Sequence, residues 1–238
     1  MRPPGLRRRT ALSAEQLTWA WQSASLLLGY PDEQDAERLA LVARAAEALP
    51  APVGDPLAAT VERLGALPLG QRQADYVETF DSRRRHNLFL TYFAHGDTRK
   101  RGVALLRFKQ TYLAAGHVPD EAELPDHLCV VLEFAATGHQ ELGRRLLLDH
   151  RAGLELLRVS LRDAGSPWAG AVEAVCATLP PLGEDEWAAI RRLAAEGPPE
   201  EEVGLTPYAT PGFDPGPARP TGGAGPVPLP MPSFPGAP

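Results

Sequence analysis

The chain has 238 residues, 44% of them hydrophobic and 23% charged, with a formal net charge of −6. That size and composition suit one sizeable globular domain with a tail, or at most two small domains. The two cysteines, Cys129 and Cys176, lack CxxC spacing, which argues against a disulfide framework or a cysteine zinc site. They read as small buried apolar residues in a reducing compartment. Arg2, Arg7, Arg8 and Arg9 crowd the N-terminus and leave an acidic body, which disfavours nucleic acid as a partner because phosphate neutralisation supplies most of that affinity.

Taken in chain order, residues 1–12 read as a flexible basic start. Arg7-Arg8-Arg9-Thr10 ahead of Leu17 to Leu28 has the outline of a twin-arginine export signal, but Glu15, Gln16 and Gln22 interrupt the apolar run and no small-residue cleavage site follows. Ser13-Ala14-Glu15-Gln16 instead has capping-box spacing and opens a helix that stops near Gly29, with Pro31 just beyond. Asp32 is placed to cap a second helix reaching about Leu49. Asp55-Pro56 predicts a cap and a first-turn proline for a third, ended by Pro68. A fourth is expected over roughly Leu69 to Phe80. The stretch His86 to Phe93 is ambiguous, and its helical neighbours favour helix.

Asp97 is placed to cap a long helix ending at Gly116, with Leu105, Phe108 and Tyr112 on one face. Pro125 to Ala136 sets Leu128, Val131, Leu132 and Ala135 at i, i+3, i+4, i+7, the spacing of a core-facing helical stripe. Residues 139–164 predict one or two helices closed by Gly165, and Trp168 to Thr178 and Glu184 to Ala195 supply the last two. No stretch reaches the roughly 20 apolar residues of a membrane span. The expected fold is all-α: a single helical bundle over residues 13–196. The remainder, 197–238, holds 13 of the 25 prolines and reads as a disordered Pro/Gly-rich tail that cannot offset its ordering entropy.

Two blocks concentrate the chemistry. In the first, Gly96-Asp97-Thr98-Arg99-Lys100-Arg101-Gly102, three cations fall in the first turn of a helix, where the macrodipole disfavours them. That placement points either to an acidic partner or to a solvated run answered by Asp81 or Glu78. In the second, Glu123-Leu124-Pro125-Asp126-His127 leads into the apolar helix. It reads either as a polar rim around a groove for an amphipathic peptide or as a satisfied cap beside a surface histidine. The six histidines show no HxxxH or HExxH spacing, and there is neither a phosphate loop nor a GxSxG elbow. A metal-dependent phosphohydrolase built on Asp126 and His127 lacks the further ligands that a metal needs. The residues assemble no active site, and the chain is expected not to be an enzyme.

Tyr76-Val77-Glu78-Thr79-Phe80-Asp81, Leu90-Thr91-Tyr92-Phe93, Gly96-Asp97-Thr98-Arg99, Arg101-Gly102 and Glu123-Leu124-Pro125-Asp126 running into Val130 to Ala136 closely resemble the NarJ family, the nitrate reductase delta subunits. Leu26-Leu27-Leu28-Gly29-Tyr30-Pro31-Asp32 is similar to that family's opening, so the resemblance spans roughly residues 17 to 200. Glu123-x-Pro125-Asp126-His127 also matches the wider group of TorD- and DmsD-type maturation chaperones, while Ser82, His127 and Cys129 depart from the NarJ pattern.

The resemblance implies a cytoplasmic, monomeric assembly chaperone. It would bind the N-terminal peptide of the nitrate reductase catalytic subunit and hold that subunit open for molybdopterin guanine dinucleotide insertion before membrane attachment. The client would carry the cofactor, and the chaperone none of its own. A client exported by the twin-arginine route is the alternative. On this reading peptide binding falls to Glu123, Pro125, Asp126, His127, Leu128, Tyr92, Asp97, Arg99 and Arg101. Arg99 and Arg101 would read acidic groups of the client or phosphates of its cofactor.

Overall fold

The computed structural model describes residues 11–120 and 123–196; the rest of the basic start and the whole Pro/Gly-rich tail lie outside the described residues. Among the described residues eleven α-helices run in chain order: α1 (Ala14–Leu28), α2 (Asp35–Glu47), α3 (Ala51–Gly65), α4 (Leu69–Tyr76), α5 (Tyr92–His95), α6 (Arg99–Ala114), α7 (Leu128–Ala136), α8 (Gln140–Asp149), α9 (Arg151–Asp163), α10 (Ala169–Thr178) and α11 (Glu184–Glu196). A π-helical turn (Val77–Asp81) extends α4, and a 3-10 turn (Arg84–His86) follows it. The all-α expectation holds: among the described residues the only β feature is a single antiparallel bridge between Phe89 and His127.

α1 is central, packing against α2, α3, α7, α8 and α10. Its start is the capping box read from the sequence. Ser13 Oγ accepts from the Gln16 backbone N–H at 3.1 Å, and Gln16 Oε1 accepts from the Ser13 N–H at 3.0 Å. Its last carbonyl, on Leu28, accepts from the Tyr76 hydroxyl at 2.9 Å, which satisfies an orphan group of the helix end. Tyr76 and Phe80 then meet Trp168 edge-on and each other at a tilt, with centroids 4.7 to 5.6 Å apart. Leu12, expected in a flexible start, packs against this core.

The predicted stripe of α7 is fully buried at Leu128, Val131, Leu132 and Ala135, and it faces α1 and α8. α9 ends as Gly165 predicts. That glycine takes φ +64, and the Ser166 N–H reaches back to the Leu161 carbonyl at 2.9 Å in a Schellman closure.

Three local expectations are corrected. α3 begins at Ala51, with Pro56 inside it rather than in its first turn. Pro50 and Pro52 already suit a helix start, and Pro56 forgoes one helical hydrogen bond. α10 comes in over that turn at Gly170, where an added Cβ would collide with the Pro56 carbonyl and lie 2.6 Å from Thr60 Oγ1. The N-cap position of α6 falls at Thr98, not Asp97; Thr98 donates its hydroxyl to the His95 carbonyl at 2.8 Å and no side chain caps the helix, while the Asp97 carboxylate reaches Arg101. Residues 87–91 are not helical: the chain is extended at Asn87 and pairs with 126–128 before α5 begins.

These close approaches make opposite predictions for two glycines. Gly170→Ala is expected to destabilise the fold by about 1–3 kcal/mol through overpacking. Gly102→Ala, exposed within α6 with nothing near its Cβ position, is expected to stabilise by about 0.5–1 kcal/mol. Urea denaturation of the two variants checks both signs.

Candidate functional site

The two sequence blocks meet in space. The extended stretch before α5 lies beside the turn that enters α7, joined by Leu90 N–H to the Asp126 carbonyl at 3.0 Å and Leu128 N–H to the Leu88 carbonyl at 2.8 Å. Alternation along this stretch buries Leu88 and Leu90 and turns Phe89 outward, half-buried. The Phe89 and His127 rings meet edge-on at 5.1 Å, and the Arg101 guanidinium lies 5.2 Å from the Phe89 centroid, within cation–π range.

Asp126 locks the junction from beneath. It is 0% exposed. Its Oδ2 accepts from the Thr91 N–H at 3.1 Å and the Thr91 hydroxyl at 2.5 Å. Arg101 approaches the same oxygen at 3.9 Å through Nη2 and donates to Thr91 Oγ1 at 3.3 Å through Nε. Its Nη1 reaches Asp97 at 3.1 Å. The Tyr112 hydroxyl donates to the Pro125 carbonyl at 2.7 Å, tying α6 to the same turn. One carboxylate thus gathers the starts of α5, α6 and α7.

This geometry sorts the residues singled out in the sequence. Asp126, Leu128 and Tyr92 are buried and belong to the floor. The expectation that Asp126 sits on an accessible rim and favours the N-terminus of α7 is therefore corrected. Its side chain turns to Thr91 and Arg101 because those donors repay its desolvation. Among the described residues no three His, Cys, Asp or Glu side chains are grouped so that they could hold a metal ion, Asp126 and His127 included. Pro125 and His127 are half-buried, and Glu123, Asp97 and Arg99 are exposed. What remains accessible at the junction is a small aromatic ledge of Phe89 and His127, and Leu124, three residues before His127, is 43% exposed. The edge of the ledge carries Arg101, itself held by the exposed Asp97. Phe89, Thr91 and Leu124 were not singled out in the sequence, although the alternation from Leu88 to Leu90 is a signal that could have found Phe89.

Neither cysteine is exposed. Burial pushes the Cys129 thiol up to about 12 and raises that of Cys176 as well, so both are poor nucleophiles. Burial also lowers the pKa of His127, His86 and His150 below the usual imidazole value, against partial opposition from nearby carboxylates or backbone acceptors.

Two predictions follow from this arrangement. Asp126→Ala leaves the Thr91 N–H and hydroxyl without their acceptor and the Arg101 guanidinium without its buried counter-charge, so it should cost about 2–4 kcal/mol of stability. A melting scan beside Glu123→Ala, which should stay within about 0.5 kcal/mol, separates floor from rim. The depressed histidines set a pH dependence. Their unfolded forms take up protons first as pH falls below about 6.5, so stability is full above that value and declines toward the lower folded pKa values. Denaturation midpoints at pH 7.5 and 5.5 should therefore fall with acidification, and His150→Gln should reduce the difference.

The described fold and junction have counterparts among known proteins. The family model for the nitrate reductase delta subunit matches residues 46–174. The nitrate reductase-like protein NarX of Mycobacterium tuberculosis H37Rv is 41% identical over 170 residues, covering 71% of this chain and 26% of NarX. NarJ of Bacillus subtilis, a nitrate reductase molybdenum cofactor assembly chaperone by its description, is 37% identical over 111 residues, covering 47% of this chain and 60% of that one. The chaperone of the same name in Escherichia coli K12 is 32% identical over 148 residues, covering 61% and 63%. The chain thus spans about a quarter of NarX and under two thirds of these NarJ relatives. A redox enzyme maturation protein from Archaeoglobus fulgidus shares the fold, with a TM-score of 0.50 at 23% identity over 74% of this chain and 97% of that one. The family match covers more than half of the sequence, including both halves of the junction, and the chain belongs to the nitrate reductase delta subunit family.

Proposed function

We propose that this protein is an assembly chaperone, not an enzyme, that binds the N-terminal peptide of a respiratory nitrate reductase catalytic subunit. It holds that subunit competent for molybdenum cofactor insertion before membrane attachment. It acts in the cytoplasm as a monomer, binds its client transiently and retains no cofactor of its own. The observation that carries this reading is the family match, which runs through the junction of residues 87–91 with 124–128. The named NarJ relatives are described as molybdenum cofactor assembly chaperones of nitrate reductase.

The junction suits such a task. An amphipathic peptide needs an apolar contact with polar edges on a rigid support. Phe89 and His127 offer the contact beside the exposed Leu124, Asp97 and Arg101 offer the edge, and Glu123 stands exposed at the start of the same turn. The Asp126 lock keeps the support preorganised, so binding does not have to order it. In this role His127 is neutral at pH 7, because burial lowers its pKa, and it presents a ring face rather than a charge.

Isothermal titration with the N-terminal peptide of the organism's own catalytic subunit should show saturable one-to-one binding. Phe89→Ala and His127→Ala should weaken it at least about fivefold while the protein still melts cooperatively. In a strain lacking the protein, the catalytic subunit should be made but short of molybdenum cofactor. Preference for the leader of a twin-arginine-exported molybdoenzyme would transfer the role to that client. Full cofactor loading in the deletion strain would remove the chaperone reading altogether.

A further inference from the structure

α6 carries two faces of opposite character. Its inner face, Ala104, Phe108 and Tyr112, is buried in the bundle. Its outer face exposes Val103 by 59%, Leu106 by 56% and Leu113 by 48%. At 3.6 residues per turn these three fall within an arc of about 80°, which they share with the exposed Arg99 and Gln110. Arg107 and Lys100 flank that arc on the Val103 side, and Lys109 flanks it on the Leu113 side. Arg99–Ala114 contains five cations and no acidic residue. Arg101 turns inward to Asp97 and Asp126, whereas Lys100, Arg107 and Lys109 form no ion pair within the described fold. Just beyond the helix, Val118 is 85% exposed.

A strip of three apolar side chains interleaved with Arg99 and Gln110 and bordered on both sides by cations, in a protein of net charge −6, sets a strong local sign against the rest of the molecule. We propose that the outer face of α6 is a docking surface for an anionic lipid bilayer, lying in the headgroup plane with Val103, Leu106 and Leu113 dipping toward the acyl boundary. Lys100, Arg107 and Lys109 pair with lipid phosphates, and their aliphatic stems extend the apolar strip.

One observation favours a bilayer over an acidic partner helix at this face. Its cations border the strip on both sides, where a headgroup plane meets both borders at once. Among the described residues no helix is long and apolar enough to cross a membrane, so the contact is an adsorption. Three apolar side chains make that adsorption weak and reversible, and the acidic remainder of the molecule orients it with α6 toward the lipid. The surface is separate from the Phe89–His127 ledge, because Arg101, the α6 residue at that ledge, lies on the inward side of the helix.

The test is co-sedimentation of the full chain with phosphatidylglycerol vesicles and with phosphatidylcholine vesicles, at about 0.1 M and about 0.5 M salt, since screening shortens with ionic strength. The expected result is binding to the anionic vesicles alone, lost at the higher salt. Binding should fall on the order of a hundredfold in K100E/R107E/K109E and also fall clearly in V103S/L106S/L113S. Every substituted residue is exposed, and an unchanged helical circular-dichroism spectrum checks that both variants remain folded. No binding by the parent chain overturns the proposal. Binding that persists in both folded variants also overturns it and assigns the contact to the arginines of the N-terminus. If the parent ignores vesicles but binds an acidic amphipathic peptide through these same residues, the face docks a protein and the lipid reading fails.

Discussion

The carboxylate of Asp126 is the constraint on which the candidate site depends. Burying a charge costs several kcal/mol unless hydrogen bonds and an opposite charge answer it. Here two donors from Thr91 and the Arg101 guanidinium do so, and they come from the residue preceding α5 and from the first turn of α6. Satisfying one anion therefore fixes three chain segments relative to one another. The two backbone hydrogen bonds around the Phe89–His127 bridge make too short a ladder to hold an extended segment in a helical protein by themselves. With Thr91 pinned at the turn into α5, the chain before it is extended at Asn87 and turns Phe89 outward between the buried Leu88 and Leu90. Asp126 Oδ1 and Arg101 Nη2 still make no hydrogen bond within the described fold, so the lock is tight in position without being saturated in chemistry.

The same device recurs at two other places. Asp35 and Arg72 form a buried ion pair at 2.9 Å that ties α4 to α2, and Arg72 also donates to the Leu64 carbonyl of α3 at 3.2 Å. Burial raises the Asp35 pKa, and Arg72 pulls it back only in part. Within α9, Glu155 is nearly inaccessible between Arg151 and Arg158, and Arg151 leans to the Cys176 carbonyl of α10 at 3.4 Å. Buried pairs of this kind add little net stability compared with apolar packing. What they contribute is geometry, because an apolar interface tolerates sliding and a paired charge does not. The bundle supplies the stability through helices such as α7, whose stripe is wholly buried, and the ion pairs set where the helices stop relative to one another.

That division of labour explains what was legible in the sequence. Apolar periodicity and caps are local, so α1 with its capping box, the stripe of α7 and the glycine stop of α9 could be read directly. The start of α3 was misplaced because Asp55-Pro56 imitates a cap, while Pro50 and Pro52, equally suited to a first turn, lie just upstream. The non-helical path of residues 87–91 was hidden because its cause, Asp126, is 35 residues from Thr91. Asp126 itself looked like a rim residue because an aspartate before a helix normally faces solvent and the helix dipole. Nothing local announces that its oxygen is committed elsewhere. Family resemblance marked these segments as significant, but it could not distinguish a residue that touches a partner from one that shapes the surface doing so.

The distinction bears on the proposed role. A chaperone that must later release its client gains from a contact area that is small and already formed. Small area keeps the affinity moderate, and preorganisation avoids the entropic cost of ordering loops, so moderate affinity remains attainable with few contacts. The ledge of Phe89 and His127 has this character only because its underside is fixed by groups that a client does not touch. Making the ledge larger would tighten binding and slow release. Loosening the Asp126 lock would leave the same side chains without a common geometry. In the proposed role, specificity then comes from the polar edge at Asp97 and Arg101, where a misplaced charge on the wrong peptide costs more than a lost apolar contact.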